Sequence, residues 1–322
     1  MKTLTNLPFW LLLVVIAALA AIPIALNNVS MREDFFLILM LVILASSINI
    51  IMGYTGYVSF GHIVFFGTGG YIAFYLMQNF QTHFVLAALI GGATASLIAF
   101  LIGIPVLRLR GAYFALATIG INEAFRSFVT NFEPFGGSIG MFFNFAVYDA
   151  YGGAKDAGQF AYYAMIALAL LTIATSFLVK KAKFGLGLMA IREDQDAAQV
   201  LGINPARMKV ITYTISAFFP AVAGAIFFFK NGLIEPGVAF ELHRSIEALV
   251  MVMLGGYGTV TGPIVGAIVY ERLRGFLITT QSLSNFHLVI AGALLLLIVL
   301  FVPAGFIGWL RQRFAAIRRY LE

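Results

Sequence analysis

Between Phe35 and Leu107 the chain runs for 73 residues without an aspartate, glutamate, lysine or arginine. A surface facing water cannot be assembled from such a stretch. Over the whole chain 61% of residues are hydrophobic and 11% charged, against about 45–50% and about 25% in ordinary soluble domains. The 34 charged residues of this 322-residue chain are too few to cover a soluble exterior. Part of the solvent must be lipid. At about 20 residues per crossing of a hydrocarbon layer roughly 30 Å thick, the length predicts an all-α polytopic membrane protein of about 8–10 transmembrane helices. Residues 1–322 then form a single transmembrane domain, with no room for a separate ATPase or kinase domain. With no cysteine in the chain, disulfides, thiolate metal sites and cysteine nucleophiles are excluded. The formal net charge of +6 sits beside hydrophobic segments and reads as retention of positive flanks on one side of a membrane, not as nucleic-acid binding.

The first apolar run, Leu7 to Leu26, is long and little preceded by positive charge. It therefore reads as a retained helix and not as a signal peptide. The uncharged stretch divides into a helix at 35–52, a glycine-rich segment at 53–77 and a helix at about 84–104, with Gln78, Asn79, Gln81 and His83 at the polar break. Further segments are expected at 111–129, 160–179 and 210–229. Residues 245–273 form two apolar runs around the glycines of 255–263, and a last helix is expected at 287–302 before a tail with Arg311, Arg313, Arg318 and Arg319.

Lysine and arginine in short loops set the orientation. The 180–209 loop, with Lys180, Lys181, Lys183, Arg192, Arg207 and Lys209, belongs in the cytoplasm. Counting back puts the 130–159 loop outside and the Arg108/Arg110 hinge and N-terminus inside. Counting forward, the basic tail falls inside only if 245–273 is re-entrant, or if two short tilted helices lie there. Non-helical backbone at that depth must be buried in protein or face water.

Two glycine-broken elements, in the two halves of the chain, suggest a central pathway of the kind built from internal repeats. The candidate residues are Gly53, Gly56, Ser59, Gly61 and His62 in the first, and Gly255, Gly256, Gly258 and Gly262 in the second. Close helix packing is the competing account of the same glycines. No lysine follows them, so they do not form a phosphate-binding loop. Glu123 and Arg126 fall on one helical face and make an intramembrane charged pair, either structural or used in transport. His62 reads as a packing residue or a proton relay. Glu247, Glu271, Arg272 and Arg274 flank the second broken element and are expected at an interface. The four histidines, at 62, 83, 243 and 287, form no hydrolytic or metal-binding pattern.

In the 180–209 loop a helix is expected from about Leu188 to Leu201, stopped by Gly202 and Pro205. It mixes Met189, Ala197, Ala198 and Leu201 with Arg192, Glu193, Asp194 and Asp196. Such a helix suits a groove in a partner protein, or the membrane surface.

The run Asp196-Ala197-Ala198-Gln199-Val200-Leu201-Gly202 resembles the Glu-Ala-Ala-x-x-x-Gly coupling motif of ABC importer permeases, with Asp196 in the place of the glutamate. Four longer stretches, GYTGYVSFGHIVFFGTGGY at 53–71, RLRGAYFALATIGINEAFR at 108–126, GLGLMAIREDQDAAQVLGIN at 185–204 and GGYGTVTGPIVGAIV at 255–269, are similar to the branched-chain amino acid ABC importer permeases over about residues 35–302. The resemblance implies one permease subunit of the bacterial cytoplasmic (inner) membrane, non-catalytic and without a bound cofactor. Its implied partners are a second related permease, an extracytoplasmic substrate-binding protein and two ATPase subunits that bind ATP and Mg. It also implies that 180–209 is a cytoplasmic coupling loop, in which Arg192, Glu193, Asp196, Ala197, Ala198 and Gly202 transmit ATP-driven movement. Branched-chain or other hydrophobic amino acids are the implied cargo. Urea or short amides are the alternative within the family, and an ion-coupled secondary transporter or a purely structural membrane subunit are the alternatives outside it.

Overall fold

The computed structural model describes residues 7–26, 28–143 and 146–279, with residues 289, 292, 305 and 306 beyond them. The expected helix at 287–302 and the arginines of the tail fall outside the described residues. Helices lie at Leu7–Ala25 (α1), Val29–Thr55 (α2), Ile63–Phe80 (α3), Phe84–Val106 (α4), Ala112–Thr130 (α5), Ala146–Asp149 (α6), Ala154–Lys181 (α7), Lys183–Glu193 (α8) and Gln195–Val200 (α9). Then come Pro205–Asn231 (α10), Pro236–Ala239 (α11), Leu242–Gly255 (α12) and Gly262–Thr279 (α13). Strands β1 (Met141–Phe142) and β2 (Leu233–Ile234) pair antiparallel.

Helix ends follow local chemistry more closely than they follow the edges of apolar runs. The Asn28 side chain accepts the Met31 N–H at 3.0 Å, so α2 starts before Arg32, Glu33 and Asp34, and Gly56 at φ +78° ends it. Asn204 caps α10 by accepting the Arg207 N–H at 3.1 Å, Pro205 fills the first helical position, and Gly232 at φ +69° closes it. Both helices are therefore longer than the apolar segments predicted for them.

Four of the described helices, α2, α4, α7 and α10, are long and apolar enough to cross a membrane. The chain is an all-α polytopic membrane protein. The most apolar stretch of α2 is 89% buried inside the protein and that of α4 only 33%. α2 is thus the central helix, while α4 turns Leu86, Leu97, Phe100, Leu101 and Ile104 outward. α10 packs along α4, α3, α2 and α7. Its contact with α3 is backbone to backbone: a Cβ on Gly69 would lie 2.4 Å from the Ala221 carbonyl, and one on Gly224 2.0 Å from that of Phe66. Small residues let these helices approach.

Three regions differ from expectation. The glycine-rich segment 53–77 is irregular only at 56–62; Gly67, Gly69 and Gly70 lie inside α3 as packing residues. Residues 188–201 form two helices, α8 and α9, because Asp194 is extended (φ −154°, ψ 112°) and caps the second. Residues 245–273 form an antiparallel pair, α12 and α13, joined at 256–261. A Cβ on Gly255 would meet the Gly262 carbonyl at 1.8 Å, and one on Gly266 that of Met251 at 1.9 Å. Glu247 is buried between the two, where its Oε1 accepts the Tyr270 hydroxyl at 3.0 Å.

Candidate functional site

α8 leaves α7 through a turn that leaves no room for a side chain at Gly185, where a Cβ would lie 2.2 Å from the Val179 carbonyl. At its far end the Asp194 carboxylate accepts the N–H groups of Asp196 and Ala197 at 2.9 and 3.0 Å. α9 is stopped by Gly202, whose φ of +86° is open to glycine and strained for other residues. Ala198 is buried and Ala197 exposed. Val200 and Leu201 stand out at 88% and 80% exposure, an apolar tip with nothing over it among the described residues.

Two contacts fix α9 against the bundle. Arg110 donates to both Asp196 carboxylate oxygens, at 3.0 and 2.8 Å. Those hydrogen bonds, and then the guanidinium charge, hold the Asp196 carboxyl below the usual carboxylate range, and the same bonds raise Arg110. A lowered folded value means that the pair contributes above the ordinary aspartate value and is lost only as pH falls through the folded one. Both side chains are exposed, so salt screens them. Deeper in, the Lys209 ammonium donates to the Tyr57 hydroxyl, the Leu107 carbonyl and Gln195 Oε1, at 2.7, 2.7 and 3.1 Å.

The two glycine turns meet under α8. Asn49, fully buried, donates from Nδ2 to the Thr259 carbonyl at 2.8 Å and accepts the Gly258 N–H at Oδ1 at 2.9 Å. A Cβ on Gly53 would lie 2.6 Å from the Gly258 nitrogen, so the two backbones touch. Arg192 closes the junction. It donates from Nη1 to the Gly53 carbonyl at 2.9 Å, lies 5.7 Å from the Tyr257 ring centroid, and pairs with Glu193 at 2.8 Å. Chemically this is a mechanical joint. One guanidinium holds the C-terminal end of α2, the turn between α12 and α13, and the loop helix that carries the apolar tip.

The structure brings Gly53, Gly56, Gly255, Gly256, Gly258 and Gly262 into this junction with Arg192. Just beyond it, Glu193 ends α8, Asp196, Ala197 and Ala198 lie on α9, and Gly202 follows α9. Ser59, Gly61 and His62 lie apart, toward α5 and α10: the His62 ring packs edge-on against Phe65 and Tyr213, at 5.4 and 5.9 Å, and a Cβ on Gly61 would strike the Thr118 carbonyl at 2.3 Å. Glu123 and Arg126 pair at 3.8 Å on the exposed face of α5, away from the junction. Asn49 is the residue that sequence reasoning missed. Its signal was present, as it is the one amide in the apolar run 35–52 and precedes Gly53 by one helical turn. Among the described residues no group of histidines and carboxylates could hold a metal ion.

The description "Branched-chain amino acid transport system / permease component" matches residues 31–299. The chain belongs to this permease family. The chain is similar to the LivM permease of the high-affinity branched-chain amino acid system of Escherichia coli, with 28% identity over 84% of this chain and 68% of that one. It is also similar to the LivH permease of Salmonella typhimurium, at 30% identity over 43% and 44% of the two chains. The autoinducer 2 import permease LsrC of Photorhabdus luminescens is 29% identical over 42% of each. No solved structure matches. As a branched-chain permease component, the chain is an ABC importer permease subunit for hydrophobic amino acids and works with other subunits of its system.

Proposed function

We propose that the chain is the LivM-type permease subunit of an importer for branched-chain amino acids, set in a bacterial cytoplasmic membrane with both termini cytoplasmic. The observation that carries the mechanism is the joint at Arg192. An ATPase subunit seated on the Val200/Leu201 tip would push on α9. The Arg110–Asp196 and Lys209–Gln195 contacts pass that load to the bundle, and Arg192 passes it to Gly53 and Tyr257. The glycines at 56 and at 256 and 258, all at positive φ, are the points at which α2 and the α12–α13 pair can swing between inward- and outward-facing access. A second permease would complete the pathway, and a binding protein would deliver solute at the opposite end. ATP and Mg would be bound by two ATPase subunits and not by this chain.

The likeness to LivM over 84% of the chain supports the subunit assignment, and its name supports leucine-like cargo. The importer reconstituted in liposomes tests both. Leu201→Asp and Ala197→Glu change exposed positions, so they should leave folding and membrane insertion intact while cutting ATP-driven leucine uptake roughly tenfold or more, as the loss of an interface anchor does. Unchanged uptake would remove α9 from coupling. Competition by urea in place of leucine, isoleucine and valine would move the cargo to short amides.

A further inference from the structure

Where α4 ends and α10 begins, the bundle opens into a cavity of about 810 Å³ whose walls have two chemistries. Phe100, Ile104 and Ile211 form one wall and are 42%, 43% and 45% exposed, continuous with the outward apolar face of α4. Arg108, Arg110, Arg207 and Lys209 line the other. Arg110 is committed to Asp196, with Asp194 acting on it at longer range. Arg108 and Arg207 form no ion pair among the described residues, and both are exposed. Lys209 is only 2% exposed, and its ammonium has neutral oxygens as its hydrogen-bond partners. Those three bonds use all the N–H donors of the ammonium, so Lys209 adds positive charge to the wall while the exposed Arg108 and Arg207 keep donors for an anion.

We infer that this cavity binds the headgroup phosphate of an anionic phospholipid from the leaflet on the coupling-loop side. Arg108, Arg207 and Lys209 supply the cationic wall, and the acyl chains run out along Phe100, Ile104 and Ile211. Basic cavities between helices at a membrane surface suit such headgroups, and the volume lies within the range of small-molecule sites. A free phosphate compound would satisfy the cations and leave the apolar wall uncovered. A protein partner has the neighbouring tip at Val200 and Leu201, which do not line the cavity. Because Gln195 and Gln199 of α9 also border the cavity, a bound lipid touches the coupling element as well as α4 and α10. The choice of leaflet rests on the orientation proposed above; the binding itself does not.

The test is thermal unfolding and native mass spectrometry of the purified permease complex, exchanged into micelles containing phosphatidylglycerol, phosphatidylcholine, or detergent with glycerol 3-phosphate. Phosphatidylglycerol should raise the unfolding temperature and remain bound, and the other two should not. In the double variant Arg108→Gln/Arg207→Gln its apparent affinity should fall roughly thirtyfold, from the usual contribution of two basic groups near an anionic surface. Both side chains are exposed, so the variant should fold, and its unfolding temperature without lipid checks that. Equal binding of phosphatidylcholine, an undiminished response in the double variant, or full stabilisation by glycerol 3-phosphate would each overturn the lipid assignment. A complex that lacks leucine uptake yet retains phosphatidylglycerol would count against the transport reading and not against this site.

Discussion

At Arg192 a single guanidinium meets the Gly53 carbonyl, the Tyr257 ring and Glu193. Lysine could reach one of these and could not span all three, because its charge is a point and not a planar fork. Arg192→Gln should therefore lower stability by about 1.5–3 kcal/mol, the range for hydrogen bonds to charged groups, and Arg192→Lys should recover only part of it. Uptake should fall further than stability, since the lost contact joins the loop helix to both turns. Thermal unfolding and leucine uptake measured on the same preparations check this; equal uptake in wild type and Arg192→Gln would show that the joint carries no load. Arg192 was legible in the sequence as a loop charge on a helix suited to partner docking. Its inward turn was not, because it depends on two carbonyl-rich glycine turns brought together across the fold. Asn49 shows the same gap. An amide inside an apolar helix signals a buried polar contact, but its partners at 258 and 259 are distant in sequence.

The elements owe their spacing to glycine. In α10 a Cβ on Gly224 would lie 2.0 Å from the Phe66 carbonyl, a backbone atom that cannot rotate away. Gly120 in α5 has open space around the same position. Gly224→Ala should then push α3 from α10 and cost about 1–3 kcal/mol, as overpacking does. Gly120→Ala should be neutral or stabilising by about 0.5–1 kcal/mol, as alanine is favoured over glycine in a helix. Unfolding temperatures in detergent decide this, and a Gly224→Ala as stable as Gly120→Ala would disprove the close approach. Long helices were read correctly because hydrophobic length leaves few alternatives. Their ends were misplaced because caps such as Asn28 and Asn204, not hydropathy, set them. The break at Asp194 was missed for a related reason: an aspartate inside a helical pattern also serves as the cap of the next helix.

Over the whole molecule, separate contacts sort the loops into two ends. Arg110–Asp196 and Arg192–Gly53 place the 108–110 hinge, the 180–209 loop and the end of α2 together. The Lys230–Glu33 ion pair and the β1–β2 pairing put the start of α2, the end of α10 and the loop after α5 at the other end. The turn at 256–261 sits with the 180–209 loop and the end of α2, through Arg192 and Asn49. α13, rising about 1.5 Å per residue over 18 residues, carries the chain toward the far end. Gly305 is back beside Gly256, where a Cβ on it would lie 2.4 Å from the Gly256 Cα. The chain is therefore at the same end as the 180–209 loop when it reaches 305. A chain without cysteine allows the sidedness to be read directly. Leu186 and Ile139 are exposed at 63% and 72% and belong to the two opposite ends. In intact cells a membrane-impermeant maleimide should label Ile139→Cys and leave Leu186→Cys unlabelled until the membrane is opened. Labelling of both from outside would break the two-ended arrangement, and labelling of Leu186→Cys alone would invert the molecule and place the apolar tip of α9 beyond the reach of any ATPase.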